Sequence, residues 1–270
     1  MGAIDVWTQM TTERMAAQPW LATLLRWTGQ TGGAVTPTPE STLEAMDEAG
    51  VDISLLSAWY GPAGDLITNE EVDRQIDAAP ERFRGLASVD LNQPMDAVRV
   101  IRDVVDGKRF VGVRIVPWLW NLPPDDRRYY PIYAACIDAG VPFCTQVGHT
   151  GPLCPSEPGR PIPYLEQVLL DFPELVIVGG HVGFPWLDEL MSLTMKFPNL
   201  YLDTSAYVVH RLPPGFVANM KGPWADRVMF GTNWPMLSPG RCLAKLDALG
   251  LDDGQKEKFL SGTARRVFNL

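Results

Sequence analysis

Only three histidines occur in the 270 residues, and two of them stand beside glycines, in Gly148-His149-Thr150-Gly151 and Gly180-His181-Val182-Gly183. An imidazole titrates near neutral pH, so two in one site can supply a general base and a general acid. Gln9 and Asn233 are neutral amides, suited to holding a carbonyl oxygen or an oxyanion. The guanidinium of Arg114 can grip a carboxylate through two parallel hydrogen bonds, or else pair with an acid inside the fold. Trp7, Trp59, Trp118, Tyr207 and Trp234, with Tyr60 and Trp120, follow apolar segments in the same relative position, which points to an aromatic ligand pocket. His210 lies in a proline-rich loop and reads as structural, although it could overhang such a pocket. Asp203 either organises its loop or carries protons, and Asp5 reads as a structural acid. The chemistry in prospect is proton transfer on a small, anionic, partly cyclic substrate.

These residues need elements to position them. Short β-branched runs recur at 3–8, 51–58, 84–90, 110–116, 141–147, 174–180, 199–205 and 227–233. Amphipathic stretches alternate with them, at 40–49, 95–106, 129–139, 164–170, 186–196 and 243–249. Pro39 after Thr38 marks a helix start, and Gly50 and Gly140 mark helix ends. Eight strand–helix alternations predict a single (β/α)8 barrel over residues 1–270, with a doubly wound open sheet as the other arrangement of the same pattern. In a barrel the chemistry sits at the C-terminal strand ends, where His149, His181, Gln9, Arg114 and Asn233 all fall.

Composition narrows the function classes. A formal charge of −9 argues against nucleic acid, whose binding needs lysine and arginine to displace counterions. No apolar run reaches the ~20 residues of a membrane span, and the opening MGAIDVWTQM lacks the pattern of a signal peptide. Cys136, Cys144, Cys154 and Cys242 show no CxxC spacing and fit the reduced thiols of a cytoplasmic protein. Gly179-Gly180-His181-Val182-Gly183 has the wrong spacing for a dinucleotide-binding turn, and no G-x-S-x-G, P-loop or HExxH occurs.

The order of several motifs resembles amidohydrolase family 2, which includes aminocarboxymuconate semialdehyde decarboxylase and related carboxy-lyases. The matching pieces are Ile4-Asp5-Val6, Ala139-Gly140-Val141-Pro142 leading to His149-Thr150-Gly151, and His181-Val182-Gly183-Phe184-Pro185-Trp186. They continue through Leu200-Tyr201-Leu202-Asp203-Thr204-Ser205, Phe230-Gly231-Thr232-Asn233-Trp234-Pro235 and Gly262-Thr263-Ala264-Arg265-Arg266-Val267-Phe268. The resemblance implies a barrel enzyme, a small-molecule substrate and, by analogy alone, a homodimer. It also implies that His149 occupies a metal-ligand position and His181 an acid/base position.

Departures from the family are equally specific. Its His-x-His at the end of the first strand is Trp7 and Gln9 here, and its last-strand aspartate is Asn233. Catalytic zinc takes three protein ligands from Cys, His, Asp and Glu, so the expectation is an enzyme without a tightly bound metal or other cofactor. A relocated site using His149, His181 and Asp203 is the other reading. The expected reaction is hydrolysis of a C–N or C–O bond, with non-oxidative decarboxylation as the alternative. A ligand-binding protein without turnover is a third possibility, against which the retention of both histidines weighs.

Overall fold

A computed structural model describes residues 2–29 and 34–270. Eight parallel strands carry the fold: β1 (Ala3–Thr8), β2 (Val51–Ser57), β3 (Phe83–Ala87), β4 (Phe110–Ile115), β5 (Phe143–Gln146), β6 (Ile177–Gly180), β7 (Leu200–Asp203) and β8 (Val228–Met229). Neighbours in sequence are neighbours in the sheet. The last strand returns to the first through Val6 N–H to Phe230 O at 3.0 Å, Asn233 N–H to Trp7 O at 2.8 Å and Gln9 N–H to Trp234 O at 3.0 Å. The architecture is a (β/α)8 barrel, as the alternation predicts.

Local chemistry sets the element boundaries. Thr38 and Ser41 form a capping box around Pro39, and that helix ends at Gly50 with φ of 68°. The helix Tyr130–Ala139 stops in the same way at Gly140. Strands buried on both faces explain the near-continuous apolar runs. A smaller cluster that includes Ile4, Leu55, Leu86, Val178 and Met229 ties the strands to Phe268 of the C-terminal helix.

Several boundaries differ from expectation. The eighth strand was expected over 227–233 but is regular only at Val228–Met229, because the following residues turn to bond β1 and carry Asn233 to a φ of 68°. The expected helix over 243–249 is broken at Lys245, whose left-handed φ of 64° separates Pro239–Leu243 from a 3-10 turn at Leu246–Leu249. The expected helix at 164–170 is regular only over Glu166–Asp171, behind a wide turn at Pro161–Leu165. Two short helices, Glu13–Ala16 and Leu21–Thr28, and a hairpin of Trp59–Gly61 with Gly64–Ile67, have no counterpart in the periodicity. Among the described residues, no helix is long and apolar enough to cross a membrane.

Candidate active site

A cavity of about 420 Å³ opens over the C-terminal ends of the strands. Its buried parts include Gln9, Thr11, Met15, Trp59, Trp118 and Gln146. Trp20, Trp59 and Trp118 make one wall, with the Trp20 and Trp118 rings edge-to-face at 5.1 Å. Leu21, Leu24 and Trp27 of the helix Leu21–Thr28 cover part of the mouth, so the unpredicted segment after β1 closes the pocket. At the rim stand Arg211 and Arg241, neither paired with a carboxylate among the described residues. No Asp or Glu is among the described residues lining this cavity, although the chain carries 32 acidic residues. The lining thus combines apolar and aromatic walls with positive charge at the rim.

His181 follows β6 directly and lines the cavity. Its Nδ1 lies 2.7 Å from Ser205 Oγ, which in turn donates to Asp203 Oδ1. Its Nε2 lies 3.4 Å from Asn233 Nδ2, and Gln9 Nε2 donates to Asn233 Oδ1 at 2.9 Å. Burial, then the Arg114 charge, then His149, lower the His181 pKa to about 3. The ring is therefore neutral at pH 7. The backbone presents it through consecutive left-handed residues, His181 at φ 71° and Val182 at 66°.

His149 is held by its main chain. Its N–H donates to Phe184 O at 2.6 Å, and its carbonyl accepts from Gln146 Nε2 at 2.9 Å. Gln146 Oε1 in turn accepts from the Trp118 indole at 2.8 Å. The adjoining Gly148, at φ 94°, passes so close to the β6 loop that a Cβ would lie 2.6 Å from Phe184 O. Thus the loops carrying the two histidines are fastened backbone to backbone. The His149 ring stacks on Trp27 at 5.2 Å, and partial burial lowers its pKa.

Seven of the expected site residues meet at the cavity: Gln9, Trp59, Trp118, His149, His181, Tyr207 and Asn233. Three do not. Arg114 was expected to bind substrate but is 1% exposed, donating to Ser57 Oγ at 2.5 Å and Val6 O at 2.9 Å. Trp7 roofs it, with the guanidinium carbon 3.9 Å from the ring centroid, and is itself fully buried against His181 at 4.4 Å. Trp234 turns away to donate to Thr42 Oγ1 at 3.2 Å. Arg114 is therefore an interior counter-charge to Asp5 and Asp203, and Trp7 is the plate above it. His210 is exposed and does not line the cavity, whereas its neighbour Arg211 does.

An indole and a guanidinium fill the interior beneath His181. Trp7 lies between His181 and Arg114, and a fixed guanidinium already supplies the positive charge beneath it. Gly180 lets the indole lie flat, since a Cβ there would strike Trp7 and come within 2.9 Å of Asp203 Oδ2. Among the described residues no three His, Cys, Asp or Glu side chains converge as ligands.

Comparisons with known proteins agree with this architecture. The sequence profile of the amidohydrolase family matches residues 62–270. A gamma-resorcylate decarboxylase of Polaromonas sp. strain JS666 is 23% identical, across 83% of this chain and 85% of its own. An uncharacterised TIM-barrel protein from Bordetella bronchiseptica superimposes with a TM-score of 0.84 at 26% identity, covering 100% of this chain and 99% of its own. The 5-carboxyvanillate decarboxylase of Sphingomonas paucimobilis does so with a TM-score of 0.71 at 18% identity, covering 100% of this chain and 99% of its own.

Proposed function

The chain belongs to the amidohydrolase family, and from that premise we propose that it is a non-oxidative decarboxylase of a small hydroxylated aromatic or cyclic carboxylate, working without a bound metal. The carrying observation is the cavity: tryptophan walls, two histidines, two rim arginines without a carboxylate partner and no lining carboxylate among the described residues. The relatives named above as decarboxylases act on hydroxylated benzoates by name, which is the same chemical type. Gln9, which lines the cavity, keeps its Oε1 buried without a hydrogen-bond partner among the described residues, an acceptor left over in the wall.

An incoming carboxylate is drawn past Arg211 and Arg241, and its ring lies among the tryptophans. Beside that anion the basicity of His181 rises, and Nε2 takes up a proton. The imidazolium gives this proton to the ring carbon bearing the carboxylate. The C–C bond then breaks, its electron pair returns to the ring, CO₂ leaves as a neutral molecule and His181 is neutral again. Desolvation in the apolar cavity favours loss of a neutral product from an anion. Hydrolysis, the reaction expected first from sequence, has less support, because the relatives matched over most of the chain are decarboxylases by name.

Incubation with a panel of hydroxybenzoates in D₂O tests the reaction. The expected result is one CO₂ per turnover and one deuteron on the carbon that held the carboxylate. Ring opening or ester and amide cleavage without CO₂ would establish hydrolysis instead, and ligand binding without any product would leave a binding protein.

Metal content is a separate prediction. Protein purified without chelator is expected to hold well under one equivalent of metal per chain, with activity that survives EDTA. About one zinc or manganese per chain, removed together with activity, would overturn it and bring Asp203 or Asp5 into a ligand sphere.

A further inference from the structure

The partners of His181 determine which of its nitrogens carries the proton. Gln9 Nε2 lies 2.6 Å from the Trp234 carbonyl oxygen, which can only accept, so this end of the Gln9 amide is the NH₂. The same nitrogen lies 2.9 Å from Asn233 Oδ1, which must therefore be the amide oxygen. Asn233 Nδ2 is then left facing His181 Nε2 at 3.4 Å, donor toward ring nitrogen. A nitrogen that faces a donor keeps its lone pair, so the proton of the neutral ring belongs on Nδ1.

The other end of the chain agrees independently. Asp203 Oδ1 accepts the Ser205 backbone N–H at 2.9 Å and also the Ser205 hydroxyl. A serine has one hydroxyl proton, and this one is given to Asp203. Toward His181 Nδ1, 2.7 Å away, the Ser205 oxygen can then only accept. Each donor from Gln9 to Asp203 thus meets an acceptor in one arrangement.

We propose that Ser205 and Asn233 are positioning residues that hold His181 as the Nδ1–H tautomer, its bare Nε2 beside the cavity-lining amide of Asn233. Asn233 thereby has a definite use at a place where the family carries a carboxylate: an aspartate there would call for the proton on Nε2. Ser205 contributes the matching acceptor from the end of β7. This inference rests on the reading of His181 as the group that moves the proton in the proposed reaction.

The test is a long-range ¹H–¹⁵N correlation spectrum of histidine-labelled protein at pH 7. With only three histidines, the His149→Gln and His210→Gln proteins assign the signals. His181 is expected to show a protonated Nδ1 and a bare Nε2. Ser205→Ala is expected to yield a mixture of tautomers and to lower kcat at least ~10-fold with KM little changed, and Ser205→Thr should restore both. A wild-type His181 protonated at Nε2 or on both nitrogens would overturn the proposal, as would an unchanged Nδ1–H signal in Ser205→Ala. The wild-type spectrum decides the tautomer even where the alanine variant does not fold. It does so without turnover, so failure to find CO₂ release would remove the proposed reaction and leave the tautomer standing.

Discussion

Replacement of His181 by glutamine is expected to lower kcat by ~10²–10⁴-fold, the range for losing a positioned acid/base group. Glutamine fits the same space and can still meet Ser205 and Asn233, but it has no proton to exchange. Affinity for an unreactive carboxylate should change far less, because the tryptophan wall, Arg211 and Arg241 remain. The protonation change also has a sign. The free ring, with its pKa near 3, is neutral throughout the neutral range, and a bound anion raises that pKa. Binding should therefore take up a proton and tighten as pH falls from 8 to 6. Calorimetry in buffers of different ionisation enthalpy measures the uptake. A His181→Gln protein within 10-fold of the parent, or one that still takes up the proton, would move the acid/base role to His149.

Replacement of Arg114 by methionine should appear in stability before it appears in KM. The methionine keeps much of the volume under Trp7 but leaves Asp5 and Asp203 buried without their interior cation. Removing one partner of a buried charge set costs ~3–5 kcal/mol, a large share of the ~5–15 kcal/mol that holds a typical domain folded. The loss depends on pH in a definite direction. Burial raises Asp5 to about 7 in the folded protein, so the stability it lends is complete below its ordinary range near 3.8 and is lost as pH rises through 7. Asp203 is also raised by burial, against the pull of Arg114, and rises further without it. Urea melts should thus show a larger deficit at pH 8 than at pH 5, and Asp203→Asn added to Arg114→Met should recover part of it. A variant of normal stability with a greatly raised KM would return Arg114 to the role of substrate clamp.

The barrel was legible because it rests on repetition, and repetition is a property of sequence. Each apolar run followed by an amphipathic run states one βα unit, and the glycines at 50 and 140 punctuate it. The C-terminal strand ends were legible for the same reason, which is why Gln9, His149, His181 and Asn233 all lie where the cavity opens. What failed was direction. Periodicity places Arg114 at a strand end but does not say that Trp7 lies over it, since that depends on a contact between β1 and β4. The cover was missed for a different reason: residues 13–28 form two short helices whose value comes from packing on the pocket, and isolated propensity is weak at such lengths. Arg211 was not singled out, since an exposed loop arginine carries no signal of its own: in that loop only His210 was considered, and read as structural, while its neighbour lines the cavity. Ser205 stood in the quoted Asp203-Thr204-Ser205, but a hydroxyl gains meaning only from the two groups it joins.

The turn after β6 sets two demands against each other. Val182 is β-branched and sits at a φ of 66°, beside His181 at 71°, and sparsely populated conformations of this kind cost on the order of 1–3 kcal/mol each. Glycine at 182 would relieve that cost with a single base change, and it would also slacken the main chain from which the imidazole hangs. With His181 in its proposed role, folding stability and rate therefore make opposite demands on this position. A lineage moving into a hotter habitat would have to find its added stability elsewhere in the barrel, and a lineage that had abandoned catalysis would be free to let the valine go.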